Sequence, residues 1–251
     1  MKKIIVASLL LSLMSFRLQD KRKIKIWLIG DSTISIKEKK ACPETGWGMP
    51  FVNFWDSTVT VYNRAKNGRS SKSFFAEHLW EPVVNELQEG DYVFIQFGHN
   101  DESKEKGERY STPDEFKANL LRYVNESRAR KAEPVLITPV ARRKFDDNNQ
   151  IKETHGEYAA LVKQVAAENN VPLIDLNEKS KALLQQMGPE ASKYLFNYLA
   201  PGEHPNYPNG ISDDTHFSEL GARKMAQIVL AEIRNLKLEL VDRIVIAPVK
   251  K

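Results

Sequence analysis

Cysteine is almost absent from this sequence, which contains Cys42 as its only cysteine among 251 residues. A lone cysteine cannot form a disulfide within the chain, and no group of cysteines and histidines has the spacing of metal ligands. The sequence also lacks internal repeats, low-complexity tracts and linkers rich in proline, glycine or serine. We therefore expect a single domain over residues 20–251, large enough to enclose one hydrophobic core.

Long hydrophobic runs are missing as well, apart from one at the N-terminus. Residues 4–16 are apolar except for three serines, and Lys2 and Lys3 precede them. A basic start and an apolar run too short to span a bilayer comfortably are typical of a secretory signal peptide. We predict that residues 1–19 are a signal peptide and that the protein is secreted or periplasmic. The alternatives are an uncleaved membrane tether and a buried strand.

The sequence has no strong excess of either charge. It contains 37 Lys and Arg against 33 Asp and Glu, and without residues 1–19 the basic count falls to 34. A nearly neutral protein has no general attraction to nucleic acids or anionic membranes. We therefore expect no nucleic-acid partner and no stable membrane partner, and we expect a monomer.

What the sequence does contain is a regular alternation of apolar runs and helical stretches. Runs rich in Val, Ile, Leu and aromatic residues predict five strands covered on both faces, at residues 24–29, 59–62, 92–97, 134–138 and 171–174. Apolar residues at helical spacing predict helices at residues 113–131, 153–169 and 218–236, the last with Ser218 as N-cap. This order predicts an α/β protein, a three-layer α/β/α sandwich with a five-stranded parallel sheet.

Three polar clusters follow strands of this sheet, at the edge where parallel sheets form their sites. They are residues 30–33 (Gly-Asp-Ser-Thr), 67–71 (Asn-Gly-Arg-Ser-Ser) and 98–101 (Gly-His-Asn-Asp). Ser32 is a candidate nucleophile, and the Gly68 N–H and the Asn100 amide are candidate oxyanion donors. Each cluster by itself is equally well explained as an ordinary turn. His99 is a less favoured general base, because a histidine beside a strand end is more often a packing residue.

A fourth cluster, residues 213–216 (Asp-Asp-Thr-His), precedes the last helix. A tight turn there would bring the Asp213 carboxylate to Nδ1 of His216 and leave Nε2 free to take a proton from a serine. Asp214 competes for the same role. The ordinary explanation of such an acidic helix entrance is capping.

Taken together, the four clusters resemble the SGNH or GDSL-type hydrolase family, named for a Ser, a Gly, an Asn and a His in four successive blocks. The matching residues are Ser32, Gly68, Asn100 and His216, and the resemblance spans residues 24–236. Within the family, the chain is most similar to rhamnogalacturonan acetylesterases. That closer likeness is carried by residues 30–33, 46–48 (Gly-Trp-Gly), 67–71, 98–101 and 213–218.

The resemblance implies a flavodoxin-like SGNH hydrolase fold and a serine esterase. It assigns Ser32, Asp213 and His216 to a catalytic triad, and the N–H groups of Ser32 and Gly68 with the Asn100 side chain to an oxyanion hole. Ser32 would attack an ester carbonyl while His216 takes its proton, and water would hydrolyse the acyl-serine. No metal or organic cofactor is needed. The expected reaction is removal of acetyl groups from a polysaccharide, namely acetylated rhamnogalacturonan or pectin.

Basic residues around Gly68 agree with an acidic polymer as substrate. No acidic residue occurs among residues 57–76, which contain Arg64, Lys66, Arg69 and Lys72. We predict substrate binding by Lys66, Arg69 and Lys72, with residues 142–144 (Arg-Arg-Lys) extending the same rim, and stacking of Trp47 on a sugar. The ordinary alternatives are a solvated loop for the cations and a packing role for the tryptophan.

Two other functions are considered beside the acetylesterase. A lysophospholipase or acyl-thioesterase on the same fold would need an apolar groove, and no extended apolar segment lies near the four clusters. A non-catalytic carbohydrate-binding protein is disfavoured by the intact set of Ser32, Asp213 and His216. The tail from about residue 238 is predicted to be an edge strand or a docking segment.

Overall fold

The computed structural model describes residues 22–245. The predicted signal peptide, residues 1–19, lies outside these described residues. Five apolar segments form one parallel sheet in the order β2-β1-β3-β4-β5, with bounds β1 Ile24–Gly30, β2 Val59–Asn63, β3 Tyr92–Gln96, β4 Glu133–Ile137 and β5 Leu173–Ile174. The predicted sheet is confirmed. Strand β5 is shorter than expected and begins after Pro172, which has no N–H to donate to a ladder.

Side chains of each strand alternate between two separate apolar cores. In β1, Ile26 and Leu28 face one core, whereas Trp27 and Ile29 face the other, as the two-residue period of a strand requires. In the described part of the chain, seven α-helices accompany the sheet: α1 Gly48–Phe51, α2 Ser71–Ala76, α3 Trp80–Glu86, α4 Pro113–Ala129, α5 Gly156–Glu168, α6 Leu176–Ala191 and α7 Glu219–Asn235. Helices α1, α6 and α7 contribute to the first core and α2–α5 to the second. The three-layer sandwich is therefore confirmed.

The predicted helices correspond to α4, α5 and α7. Ser218 caps α7, because its hydroxyl accepts a hydrogen bond from the Gly221 N–H at 3.2 Å. Helices α1, α2, α3 and α6 were not predicted, and neither was an antiparallel hairpin of β6 (Phe196–Leu199) and β7 (Ile211–Phe217). No helix within residues 22–245 is both long enough and apolar enough to cross a membrane.

The C-terminal segment packs against the domain. It forms a 3₁₀ helix at Glu239–Arg243, and Leu240 is fully buried in the first core. Ile244 makes only an isolated bridge to Trp55. The described part of this segment is therefore a docked tail that does not extend the sheet.

Candidate active site

The turn after β1 exposes the backbone of Ser32. Oδ1 of Asp31 accepts hydrogen bonds from the Thr33 N–H at 2.9 Å and the Thr33 hydroxyl at 2.8 Å, which holds the turn from inside. Burial raises the pKa of Asp31, against the opposing effect of these hydrogen bonds. Within the described residues the Ser32 N–H has no hydrogen-bond acceptor, so it can donate to a ligand.

Three predicted site residues form one hydrogen-bonded chain. Oδ2 of Asp213 accepts from Nδ1 of His216 at 2.7 Å, and Nε2 of His216 lies 2.9 Å from the Ser32 hydroxyl. A carboxylate can only accept, so the imidazole proton belongs on Nδ1 and Nε2 accepts from Ser32. Burial by itself would raise the pKa of Asp213, but the hydrogen bond and charge of His216 outweigh it and the pKa is lowered.

A bulge in β7 places Asp213 and His216 in this geometry. Tyr198 pairs with Ser212 and Phe196 pairs with Phe217, so a step of two residues on β6 faces a step of five on β7. The extra residues leave the ladder and turn toward Ser32. Oδ1 of Asp213 accepts the N–H of Thr215 at 2.7 Å and of His216 at 3.0 Å. The predicted turn that brings Asp213 to Nδ1 of His216 is present, and it takes the form of a bulge inside strand β7.

Asp214 has a different environment from Asp213. Its Oδ1 accepts from Nη1 of Arg143 at 2.6 Å and from the Tyr198 hydroxyl. Arg143 is buried, and Asp214 compensates its charge. Asp214 therefore braces the hairpin, and Asp213 is the aspartate that meets the imidazole.

Gly68 presents a second unpaired backbone N–H. Its φ of +72° is in the left-handed region that favours glycine, and its N–H has no acceptor within the described residues. The neighbouring Asn67 fixes this loop to the nucleophile turn, because its Oδ1 accepts from Ser35 and, at 2.9 Å, from Lys37. The Ser32 and Gly68 donors are therefore held in one unit.

Lys37 is the buried centre of that unit. Its ammonium also donates to the Ser32 carbonyl and forms an ion pair of 2.6 Å with Glu44. Burial lowers the pKa of Lys37, whereas the charge of Glu44 opposes the shift. Oε1 of Glu44 lies 4.0 Å from Nε2 of His216, so the pairing with Lys37 offsets a negative charge beside the imidazole.

The Asn100 amide is oriented by two neighbours. Its Oδ1 accepts from Nζ of Lys106 at 2.7 Å, and its Nδ2 donates to the Arg69 carbonyl at 2.8 Å. The ammonium can only donate, which settles which end of the amide is oxygen. Because Nδ2 carries two hydrogens, one remains for a ligand. Asn100 lines the same cleft as Ser32 and Gly68.

The next residue, Asp101, ties the second and third clusters together. Its carboxylate accepts from the N–H and hydroxyl of Ser71 and from the Ser111 hydroxyl. Burial raises the pKa of Asp101 to about 6, and the hydrogen bonds from Ser71 oppose that rise. This buried link sets the position of the Gly68 loop relative to Asn100.

His99 is a buried packing residue, as expected. It is 3% exposed and stacks edge-on against His155 at 4.2 Å between ring centroids. Neither ring nitrogen has a hydrogen-bond partner within the described residues. Burial and the neighbouring His155 lower its pKa well below the usual value, which makes it a weaker base than an ordinary histidine.

These groups line one open cleft of about 400 Å³. None of its lining residues carries an aliphatic or aromatic hydrocarbon side chain; they are Ser32, Glu44, Asn67, Gly68, His99, Asn100, Lys106, Arg109, Arg142, Asp213, Thr215 and His216. Within residues 22–245, no group of three or more His, Cys, Asp or Glu could hold a metal ion.

The predicted stacking of Trp47 on a sugar is wrong. Trp47 is fully buried, packs edge-on against Phe51, and donates its indole N–H to Gln96 at 3.0 Å. Its flanking glycines let the loop enter the core instead of exposing the ring, because a β carbon on Gly46 would lie 2.2 Å from the Ser35 carbonyl oxygen.

The predicted cations Lys66, Arg69 and Lys72 do not line the cleft. Arg69 pairs with Glu77 at 2.6 Å and Lys72 pairs with Glu115 at 3.1 Å. Of the basic residues named from the sequence, only Arg142 lines it. Lys37, Lys106 and Arg109 were missed, because nothing in their local sequence marks them and they reach the site only through tertiary contacts.

Replacing Asn100 by alanine tests the oxyanion assignment. We expect kcat to fall by about 10²–10³-fold with little change in KM, because the amide would stabilise charge that develops only in the transition state. Steady-state kinetics on a small acetyl ester provides the measurement, and Asn125→Ala in α4 is a matched control distant from the cleft. A fall in kcat that is accompanied by a lower thermal denaturation midpoint would instead indicate a structural role for Asn100.

Comparisons with known proteins give a consistent grouping. The sequence pattern of the GDSL-like lipase/acylhydrolase family matches residues 28–224. The chain is 43% identical over 225 residues to rhamnogalacturonan acetylesterase RhgT of Bacillus subtilis, covering 90% of this chain and 96% of that protein. It is 38% identical to the probable rhamnogalacturonan acetylesterase YesY of the same organism, covering 88% and 97%.

Solved structures show the same fold. The Bacillus subtilis protein YXIM superposes with a TM-score of 0.75 at 25% identity, covering 86% of this chain and 58% of that one. Axe2, an acetylxylan esterase from Geobacillus stearothermophilus, superposes with a TM-score of 0.61 at 22% identity, covering 84% and 94%.

Proposed function

The chain belongs to the GDSL-like lipase/acylhydrolase family, and we propose that it is a serine esterase that removes acetyl groups from acetylated rhamnogalacturonan. The observation that carries this proposal is the hydrogen-bonded chain from Asp213 through His216 to Ser32, which opens into a polar cleft. The two relatives named as rhamnogalacturonan acetylesterases, matched over nearly their whole length, support the choice of polymer.

The geometry supports a two-step mechanism. Nε2 of His216 takes the Ser32 proton as Oγ attacks the acetyl carbonyl, and the Ser32 N–H, the Gly68 N–H and Nδ2 of Asn100 stabilise the oxyanion. The imidazolium then returns the proton to the sugar oxygen, which leaves as a hydroxyl. Water, deprotonated by His216, attacks the acetyl-serine, and the imidazolium returns that proton to Oγ of Ser32 as the bond to the acetyl carbon breaks and acetate is released. Asp213 holds the imidazole in the required tautomer throughout.

The direct test is an acetate-release assay with acetylated rhamnogalacturonan, acetylated homogalacturonan, acetylated xylan and 4-nitrophenyl acetate. We expect the highest kcat/KM on the rhamnogalacturonan. If only the xylan is deacetylated, the natural substrate is a xylan and not a rhamnogalacturonan. If none of the four substrates releases acetate, the protein is not an acetylesterase.

Acyl-chain length separates this function from a lipase or thioesterase. We expect acetyl esters to react faster than octanoyl esters, because no hydrocarbon side chain lines the cleft to bury a long chain. Comparing kcat/KM for 4-nitrophenyl acetate and 4-nitrophenyl octanoate tests this. A higher value for octanoate would favour the lysophospholipase or acyl-thioesterase.

We propose export for this protein on the basis of the N-terminal sequence and the polymeric substrate. Residues 1–19 have the composition of a signal peptide, and a polysaccharide of this kind is met outside the cell. Intact-mass measurement of the protein recovered from cell and medium fractions tests this, since retention in the cell with residues 1–19 present would contradict it.

A further inference from the structure

Two cations at the cleft have no carboxylate partner. Three lysine and arginine side chains line it, and one of them, Arg142, forms an ion pair of 3.1 Å with Glu102. Within residues 22–245, Lys106 and Arg109 have no ion pair at all. Both belong to the 3₁₀ helix Lys104–Arg109, where the chain turns sharply at Gly107 (φ +54°). The cleft therefore carries uncompensated positive charge on one wall.

Both cations lie beside the proposed oxyanion donors. Nη1 of Arg109 is 3.0 Å from the position that a β carbon on Gly68 would occupy, so the guanidinium rests against this glycine. Nζ of Lys106 donates to Oδ1 of Asn100 at 2.7 Å and approaches the His99 carbonyl at 3.3 Å. A substrate whose acetyl carbonyl enters the oxyanion hole would therefore come close to these two groups.

The two cations differ in the donors they still have available. The Lys106 ammonium already donates a hydrogen bond that orients Asn100. Burial, followed by the charge of Arg142, lowers the pKa of Lys106. The guanidinium of Arg109 makes no hydrogen bond to any residue in the described range. Its planar fork of donors matches a carboxylate in two parallel hydrogen bonds. Arg109 is therefore the group equipped to bind an anion of the substrate.

We propose that Arg109, with Lys106 adding charge beside it, binds a uronate carboxylate of the substrate close to the acetyl ester. This inference rests on the proposed function, whose polymer contains galacturonate. Under this proposal the substrate carboxylate is bound by Arg109 and not, as the sequence had suggested, by Lys66 and Lys72. Lys72 is compensated by Glu115, and neither lysine lines the cleft.

The test compares a charged and a neutral form of one substrate. Acetylated rhamnogalacturonan oligosaccharides and the same oligosaccharides with methyl-esterified galacturonate carboxyl groups are assayed with wild type, Arg109→Gln and the double variant K66Q/K72Q. For R109Q, we expect the ratio of kcat/KM between charged and neutral substrates to fall about fivefold, mainly through KM, because one partly exposed ion pair is lost. In wild type, this ratio should fall with added salt.

Arg234→Gln, which removes the same charge from an exposed residue of α7, is the matched control and should leave the ratio unchanged. Equal losses of R109Q on both substrates would overturn the inference and make Arg109 a support for the Gly68 loop. If the ratio of kcat/KM between charged and neutral substrates falls only in K66Q/K72Q, the carboxylate is bound by the lysines around Gly68 and not by Arg109.

The outcome also separates this inference from the proposed function. If wild type releases acetate from both forms with equal efficiency and no salt dependence, the uronate site fails while the esterase stands. If wild type releases no acetate from either form or from 4-nitrophenyl acetate, the esterase itself fails.

Discussion

Replacing Ser32 by alanine should reduce kcat by at least about 10³-fold and leave the fold intact. The hydroxyl would form the acyl intermediate, and without it only water could attack an ester held in the oxyanion hole. The change removes little stabilisation, because among residues 22–245 the Ser32 hydroxyl forms a hydrogen bond only with Nε2 of His216, at the open cleft. The Ser32 N–H is retained, so substrate binding should change less than kcat.

The measurement is steady-state kinetics on 4-nitrophenyl acetate together with urea unfolding followed by circular dichroism. Ser57→Ala is the matched control, since Ser57 is exposed before β2 at the opposite edge of the sheet. Trapping of a radiolabelled fluorophosphonate by wild type but not by S32A would identify the nucleophile directly. Substantial turnover by natively folded S32A would rule out this assignment.

Replacing Asp213 by asparagine should reduce kcat by about 10³–10⁴-fold, the scale known for amide replacement of a triad aspartate. The amide oxygen is expected to stay with the Thr215 and His216 N–H groups that Oδ1 now accepts. The NH₂ group would then donate to Nδ1 of His216. This forces the ring proton onto Nε2, so the ring can no longer take the proton of Ser32.

Asp214→Asn is the informative comparison, because both variants change one carboxylate to an amide in adjacent residues. Asp214 bonds to Arg143 and Tyr198 on the other side of β7. We expect D214N to keep kcat within a few-fold of wild type but to lower the denaturation midpoint, since buried Arg143 loses its counter-charge. A larger loss of kcat in D214N than in D213N would show that the triad has been misassigned.

The sheet and the order of its elements were predictable because they depend on local sequence periods. A strand covered on both faces must be apolar along its whole length, and a surface helix must repeat every three to four residues. Helix α6 was not predicted because its apolar pattern is weak: only Leu176 and Leu184 among its apolar side chains are fully buried. The β6–β7 hairpin was not predicted because its strands are joined by a turn-rich segment whose prolines and glycines read as a loop.

Errors about individual side chains have the same origin. The local sequence of Trp47, between two glycines, allowed either an exposed or a packed ring, and contacts with Phe51 and Gln96 bury it. Lys66 and Lys72 were chosen because they are close to Gly68 along the chain. Arg109, which lies against Gly68 in space, is far from it in sequence. Proximity along the chain is a poor guide to charge recognition when loops from several strands meet at one edge.

The sequence by itself determined the parallel sheet, the candidate nucleophile at the end of β1, and the residue types needed for an acyl-transfer site. These depend on hydrophobic period and on short motifs that local backbone geometry suffices to interpret. Only the tertiary structure decided which aspartate meets His216, which end of the Asn100 amide faces the cleft, and which cations border it. Each of these depends on a bulge or a long-range hydrogen bond, and such contacts form between segments that only the folded chain brings together.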